Sequence, residues 1–183
     1  MNIIVLNGNQ DPISHTFDSY LNDLSEKLQE KGHILKMYCL REMDIRQCIG
    51  CFNCFTKTPG ICVHKDDMIA VCKTTVRSDL MVFASPLHMG FVSSTIKRAT
   101  DRIIPLILPY LQISQGACRH PLRYARSPLL GLLLEPEEDT DDEDIMIVTD
   151  MHKRLSINFH SELKFTLTTK DPVAEVAYEI NNF

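Results

Sequence analysis

Asn2-Ile3-Ile4-Val5-Leu6-Asn7, leading into Gly8-Asn9-Gln10-Asp11-Pro12-Ile13-Ser14-His15-Thr16, is the stretch from which the architecture follows. Residues 2–7 form a nearly continuous apolar run, the pattern of a strand covered by helices on both faces. Phe17, Tyr20, Leu21, Leu24 and Leu28 then recur at helical spacing until Lys31-Gly32 closes the segment. The alternation repeats along the chain. Further strands are predicted at roughly 33–38, 80–84, 129–134 and 163–167. Helices are predicted from Asp66 or Asp67, from about 93 to 103, from the acidic turn Glu135–Asp144 to Phe159, and after Pro172. Residues 104–127 carry three prolines and little periodicity, and read as a helix extension followed by a long loop. The sum is an α/β fold, a doubly wound five-stranded parallel sheet with helices on both faces, in a single domain over residues 1–183. Such sheets bind ligands past the carboxyl ends of their strands, which selects the loops at 8–16, 39–65, 85–91 and 135–140.

Composition narrows the class. The chain of 183 residues is 44% apolar, has no Trp and carries a net charge of −5. No basic stripe interleaved with aromatics points to nucleic acid. The N-terminus reads as a first strand rather than a signal peptide, and no apolar run is long enough to span a membrane. Seven cysteines, four of them clustered, argue against an extracellular disulfide framework and for a reducing cytoplasmic compartment.

That cluster is Cys48-Ile49-Gly50-Cys51-Phe52-Asn53-Cys54, with Cys62 and then Asp66-Asp67 beyond it. The spacing suits four thiolates converging on one soft centre, either an iron–sulfur cluster or structural zinc with His64 nearby. A redox pair and free, partly packed thiols are the competing readings; Cys39, Cys72 and Cys118 fit the packed role. In the first loop, Gly8, Asn9, Ser14, His15 and Thr16 precede a helix, where free N–H groups and hydroxyls suit a phosphate monoester. The alternative is that Ser14 only caps the helix. There is no Walker ending and no dinucleotide glycine fingerprint. In the third loop, Ser85, Pro86, Leu87, His88, Met89 and Gly90 suit a planar ring, or make a simple strand-to-helix turn. No elbow or triad supports hydrolysis.

Together the segments Gly8…Ser14-His15-Thr16, Cys48–Cys54…Cys62-Val63-His64-Lys65-Asp66-Asp67-Met68, and Ser85–Gly90 trailed by Lys97 and Asp101-Arg102 resemble the flavodoxin-like NAD(P)H-dependent FMN reductases, within them the iron–sulfur flavoprotein branch. The resemblance implies an oxidoreductase binding FMN. Its phosphate is expected at Ser14 and Thr16, and its ring against Pro86 to Gly90. It implies hydride uptake from NAD(P)H, electron delivery to a flavin, quinone or protein acceptor, and no single essential catalytic side chain. It also implies a [4Fe–4S] centre on Cys48, Cys51, Cys54 and Cys62, and a homo-oligomer, dimer or tetramer. An FMN and iron–sulfur electron carrier, or a zinc-stabilised or cofactor-free interaction protein on the same fold, are the alternatives. Two departures stand out. The usual Gly-Ser-Pro-Arg of the phosphate loop is here Gly8-Asn9-Gln10-Asp11, and the glycine-rich loop after the fourth strand is Glu135-Pro136-Glu137-Glu138-Asp139.

Overall fold

The computed structural model describes residues 1–13, 15–114 and 116–182. Five parallel strands form the sheet: β1 (Asn2–Asn7), β2 (Ile34–Cys39), β3 (Leu80–His88), β7 (Leu129–Glu135) and β8 (Leu163–Thr168), in the order β2-β1-β3-β7-β8. The short β4 (Phe91–Val92) turns back antiparallel on the end of β3. The remaining pair, β5 (Gln112–Ser114) and β6 (Ala117–Arg119), forms a separate antiparallel hairpin. Helices are α1 (Thr16–Glu30), α2 (Asn53–Thr56), α3 (Met68–Thr75), α4 (Ser94–Arg102), α5 (Asp142–Asn158) and α6 (Val173–Asn181).

Strand periodicity divides the core in two. Ile3 and Val5 of β1 pack with Phe17, Leu21 and Leu24 of α1 and with Val176 and Ile180 of α6. Ile4 and Leu6 face the other way, toward Met68 and Val71 of α3, Ile96 of α4 and Val148 of α5. This explains why the strands lack polar alternation: both faces are buried. At Gly131, in β7, a Cβ would overlap the Phe165 ring of neighbouring β8, so the strand needs its glycine.

Two expectations require correction. The third loop is not a loop from Ser85 onward: β3 continues to His88, and Met89-Gly90 (φ 53° and 71°) closes a two-residue hairpin onto β4. Residues 104–127 are not one long loop either. Ile104–Leu106 is a single 3-10 turn, β5 and β6 pair, and Ile107 bridges Leu122. Those pairings join residues distant in sequence, so local periodicity carries no sign of them.

The acidic run before α5 works as a helix start. Asp141 accepts from Asp144 N–H at 3.0 Å while Asp144 accepts from Asp141 N–H at 3.3 Å, a reciprocal cap favoured by the helix dipole. Of the two residues expected to cap α3, Asp66 accepts from the N–H of Met68, the helix's first residue, and Asp67 does not cap it. The Asp67 carboxylate accepts instead from Asp44 N–H at 2.8 Å. Asp66 accepts from Arg102 at 2.7 and 2.9 Å, from Arg46 N–H and from Met68 N–H, and both ion-pair side chains are only 1% exposed. Arg102 also donates to the Arg46 carbonyl, and Arg98 to the Ile45 carbonyl. The long segment between β2 and α3 is thereby bolted to α4.

Burial alone would raise the Asp66 carboxyl, but Arg102 and the Arg46 N–H outweigh it and hold the group below the usual carboxylate range. Its folded value lies below the unfolded one. The stabilisation is therefore complete above the unfolded value of about 3.9 and lost as pH falls through the folded one. Asp66→Asn, which leaves Arg102 buried and unpaired, is expected to cost about 3–5 kcal/mol at neutral pH. Denaturant unfolding as a function of pH should show the gap to the unsubstituted protein closing below about pH 4. Gly131→Ala is expected to lower stability by about 1–3 kcal/mol through overpacking against Phe165, measured by the same titration.

Candidate functional site

The first loop leaves β1 at buried Asn7, and Gly8 N–H donates to the Ala84 carbonyl at 2.8 Å, tying the loop to β3. A Cβ at Gly8 would overlap Ile96 and stand 2.7 Å from Ser93 Oγ, so α4 can pack this closely only against glycine. Beyond it runs a ladder of side-chain turns. Asn7 Oδ1 accepts from Asn9 N–H at 2.9 Å, Asn9 Oδ1 from Asp11 N–H at 3.0 Å, and Asp11 Oδ1 from Ile13 N–H at 2.8 Å. Asp11, which could have faced a phosphate, is folded back on its own loop. Gln10 donates to Ser94 Oγ at 2.7 Å, linking the loop to α4.

Thr16 opens α1, and His15 stands at the N-cap position without a side-chain cap bond. Ser14 lies outside the described residues. Arg41, just past β2, pairs with Asp18 of α1 at 2.9 Å and reaches the Asn9 carbonyl at 3.4 Å. Asp18 also accepts from Asn7 at 2.7 Å. Its burial opposes the charged form, yet the hydrogen bonds from Asn7 and Arg41 leave it below the usual carboxylate range. Arg41 was not identified from sequence. It follows the second strand by two positions, at the same sheet edge as the first loop, and that placement is the signal that could have found it.

At the neighbouring strand end, Ser85 is buried; its Oγ donates to the Pro86 carbonyl at 2.7 Å and accepts from Ser93 N–H at 2.9 Å. Leu87 is buried, His88 is exposed, and Met89 projects into solvent at 99% exposure. Met89 N–H, expected to be available to a ring, donates to Glu137 Oε2 at 2.9 Å, and Glu137 Oε1 lies 3.4 Å from His88 Nδ1. Glu135 ends β7 beside them. Burial and the charge of Asp18 push its carboxyl up, with His88 acting in the opposite sense.

A cleft of about 570 Å³ opens between these elements, within the usual range for ligand sites. Gln47 and Cys48 line one side, His88, Phe91 and Val92 of the hairpin another, and Ser94, Lys97, Arg98 and Asp101 of α4 the floor. Lys97 is held by Asp101 at 2.6 Å. The hairpin, the start of the cysteine segment and α4 thus border one cleft, and the first loop touches α4 through Gln10 and the Gly8 carbonyl.

The cysteines themselves require a correction. Cys48, Cys51, Cys54 and Cys62 all line a second cavity of about 320 Å³, but they do not form a ligand set. Among the described residues, no group of three or more His, Cys, Asp or Glu side chains is placed to hold a metal ion, and all seven cysteines are free thiols. Gly50 and Phe52 (φ 66° and 53°) turn the backbone on either side of Cys51. Cys48 and Cys51 emerge exposed, whereas Cys54 is drawn inward on α2, where burial pushes its thiol up. The [4Fe–4S] centre expected on these four residues is therefore withdrawn, and zinc on the same set with it. Cys72 behaves as a packed thiol, pushed up to about 12 by burial; Cys118 is exposed, against expectation.

Comparison with known proteins gives the family and the fold. The profile of the family described as NADPH-dependent FMN reductase matches residues 1–112. An iron–sulfur flavoprotein of Archaeoglobus fulgidus is 28% identical over 102 residues, covering 56% of this chain and 48% of that protein. Another, from Methanocaldococcus jannaschii, is 28% identical over 89 residues, 49% of this chain and 44% of that one. The chain spans about half the length of these curated relatives. Among solved structures, an FMN-dependent NADH-azoreductase from Bacillus anthracis in complex with FMN superposes with a TM-score of 0.65 over 99% of both chains at 13% identity. An NAD(P)H:quinone oxidoreductase from Methanothermobacter marburgensis gives 0.61 over 99% of this chain and 92% of that one, at 14% identity. These two establish a shared fold. With a match over well more than half of its length, the chain belongs to the NADPH-dependent FMN reductase family.

Proposed function

We propose that the chain is an FMN-dependent oxidoreductase that takes a hydride from NAD(P)H and passes electrons to a flavin, quinone or protein acceptor. The observation that carries this reading is the carboxyl-edge cleft, bordered by three segments that all fall within the family match at 1–112. The residues present fit FMN. The N-terminus of α1, a helix of fifteen residues, suits a phosphate, with Arg41 beside the loop replacing the positive charge missing from Gly8-Asn9-Gln10-Asp11. The mixed polar and apolar walls of the cleft suit a planar ring bordered by Pro86 to Gly90.

When bound, FMN supplies the hydride and electron chemistry. The chain's own residues bind and orient. Gly8, Asn9, His15 and Thr16 shape the phosphate end, with Ser14 expected alongside them, and Ser85 holds the hairpin to α4. His88, Phe91 and the aliphatic stem of Lys97 narrow the cleft. No residue of the site is required to move a proton.

The same reading covers assembly and place. One domain over residues 1–183 carries the activity in a cytoplasmic setting, without nucleic acid or membrane as a partner. Among the described residues, no helix is long and apolar enough to cross a membrane. Large apolar side chains are exposed in two segments, Ile49, Phe52, Ile61 and Val63 in one and Tyr110, Leu111, Ile113 and Tyr124 in the other, and again on α5 at Met146, Ile147 and Met151, which supports a homo-oligomer.

Titration with FMN should quench flavin fluorescence and be followed by oxidation of NADH or NADPH in the presence of a quinone; no quenching and no turnover would overturn the assignment. Arg41→Ala, which also leaves Asp18 unpaired, should weaken FMN binding about fivefold, the effect of about 1 kcal/mol from one partly exposed charge. Light scattering should give the mass of a dimer or tetramer, and Ile113→Glu should shift it toward the monomer.

A further inference from the structure

We propose that Glu137 is an internal stand-in for a ring carbonyl at the hairpin end of the cleft, so that flavin enters by displacement and is held as an exchangeable ligand rather than a permanently retained group. This inference rests on the flavin reading above. Its starting point is the bond from Met89 N–H to Glu137 Oε2 at 2.9 Å. A carboxylate oxygen there makes the bond that the carbonyl oxygen of a planar heterocycle would make, with the added strength of a charged acceptor. Oε1 of the same carboxylate faces His88 Nδ1 at 3.4 Å, so both exposed polar groups of the hairpin are addressed by one side chain.

Glu137 is pre-set for this contact. Its N–H donates to Thr140 Oγ1 at 2.8 Å, and Thr140 N–H donates back to the Glu137 carbonyl at 3.3 Å, fixing the turn after β7. In the first turn of α5, which this loop leads into, Asp144 lies so close to Gly90 that a Cβ there would overlap its carboxylate. The loop after β7 and the start of α5 therefore rest on both residues of the hairpin turn.

The opposite end of the site is closed in the same manner. The N–H groups of Asn9, Asp11 and Ile13 are taken by Asn7, Asn9 and Asp11. Each bond an incoming ligand makes to these donors replaces one the chain already makes, so the net gain is small. Glu135 and Asp18 flank the same edge as carboxylates, which further disfavours retention of a phosphate-bearing ligand.

The test is the FMN dissociation constant, read by flavin fluorescence, for the unsubstituted protein, Glu137→Gln, Glu137→Ala and Glu138→Gln. Glu138 sits exposed in the same turn and serves as the charge control. Glu137→Ala should bind FMN about tenfold tighter and keep it through desalting, with Glu137→Gln between it and the unsubstituted protein because an amide oxygen still accepts, more weakly. Glu138→Gln should stay within about twofold, since it removes charge alone from an exposed position. Far-ultraviolet circular dichroism checks that all four share the fold. Unchanged or weaker binding in the Glu137 variants, or equal tightening in Glu138→Gln, would overturn the proposal while leaving the flavin reading intact. Absence of FMN binding in all four proteins would overturn both.

Discussion

The buried pair between Asp66 and Arg102 is the constraint on which the site depends. Both side chains are nearly inaccessible, and the carboxylate is bound at the same time by the guanidinium and by two backbone N–H groups. Burying two charges is tolerable only when their remaining hydrogen-bonding capacity is met, and here most of it is met by backbone of the segment before α3. The pair therefore does more than join two helices. It holds Arg46 by both its N–H and its carbonyl, directly before Gln47 and Cys48 in the wall of the cleft, while Asp67 holds Asp44 and Arg98 the Ile45 carbonyl.

Around that anchor, the sheet divides the labour between its two faces. α1 and α6 cover one face through long apolar rows. The other face carries α3, α4 and α5. Close approach of α4 at Gly8 brings Ser93, Ser94 and Thr95 up to the first loop, where Ser94 meets Gln10 and Thr95 donates to the Gly8 carbonyl at 3.2 Å. A single glycine thus decides whether the loop after β1 and the hairpin after β3 belong to one site.

Much of this was legible in the residues, and what was not has a physical cause. The unbroken apolar runs at 2–7 and 80–84 revealed the parallel sheet because burial on both faces leaves no room for polar alternation. Gly8 and Ser85–Gly90 were expected at the carboxyl edge because the loops of such sheets gather there, and both lie at that edge. The hairpin at Met89-Gly90 was missed because Met rarely adopts positive φ, and no local signal marks it. Cysteine spacing suggested convergence, but spacing counts residues along the chain and carries no information about the turns at Gly50 and Phe52 that separate exposed from buried thiols. Arg41 and Glu137 were overlooked for a related reason. Each acts across strands, at 23 and 48 positions from its partner, where sequence pattern has no reach.

The division of the chain at residue 112 gives these misses a common meaning. The family match ends there, and the first loop, the cysteine segment, the hairpin and α4 all lie before it. The second part completes the sheet with β7 and β8 and returns the loop after β7 and the first turn of α5, residues 135–144, to the hairpin. The family match therefore covers the segments that border the cleft, and of the groups that accept from their backbone donors, Asn7, Asn9 and Asp11 lie before residue 112 and Glu137 after it. In this chain those donors are already taken by carboxylate and asparagine oxygens, so on the flavin reading a ligand gains bonds there only by exchange, not by creating new ones.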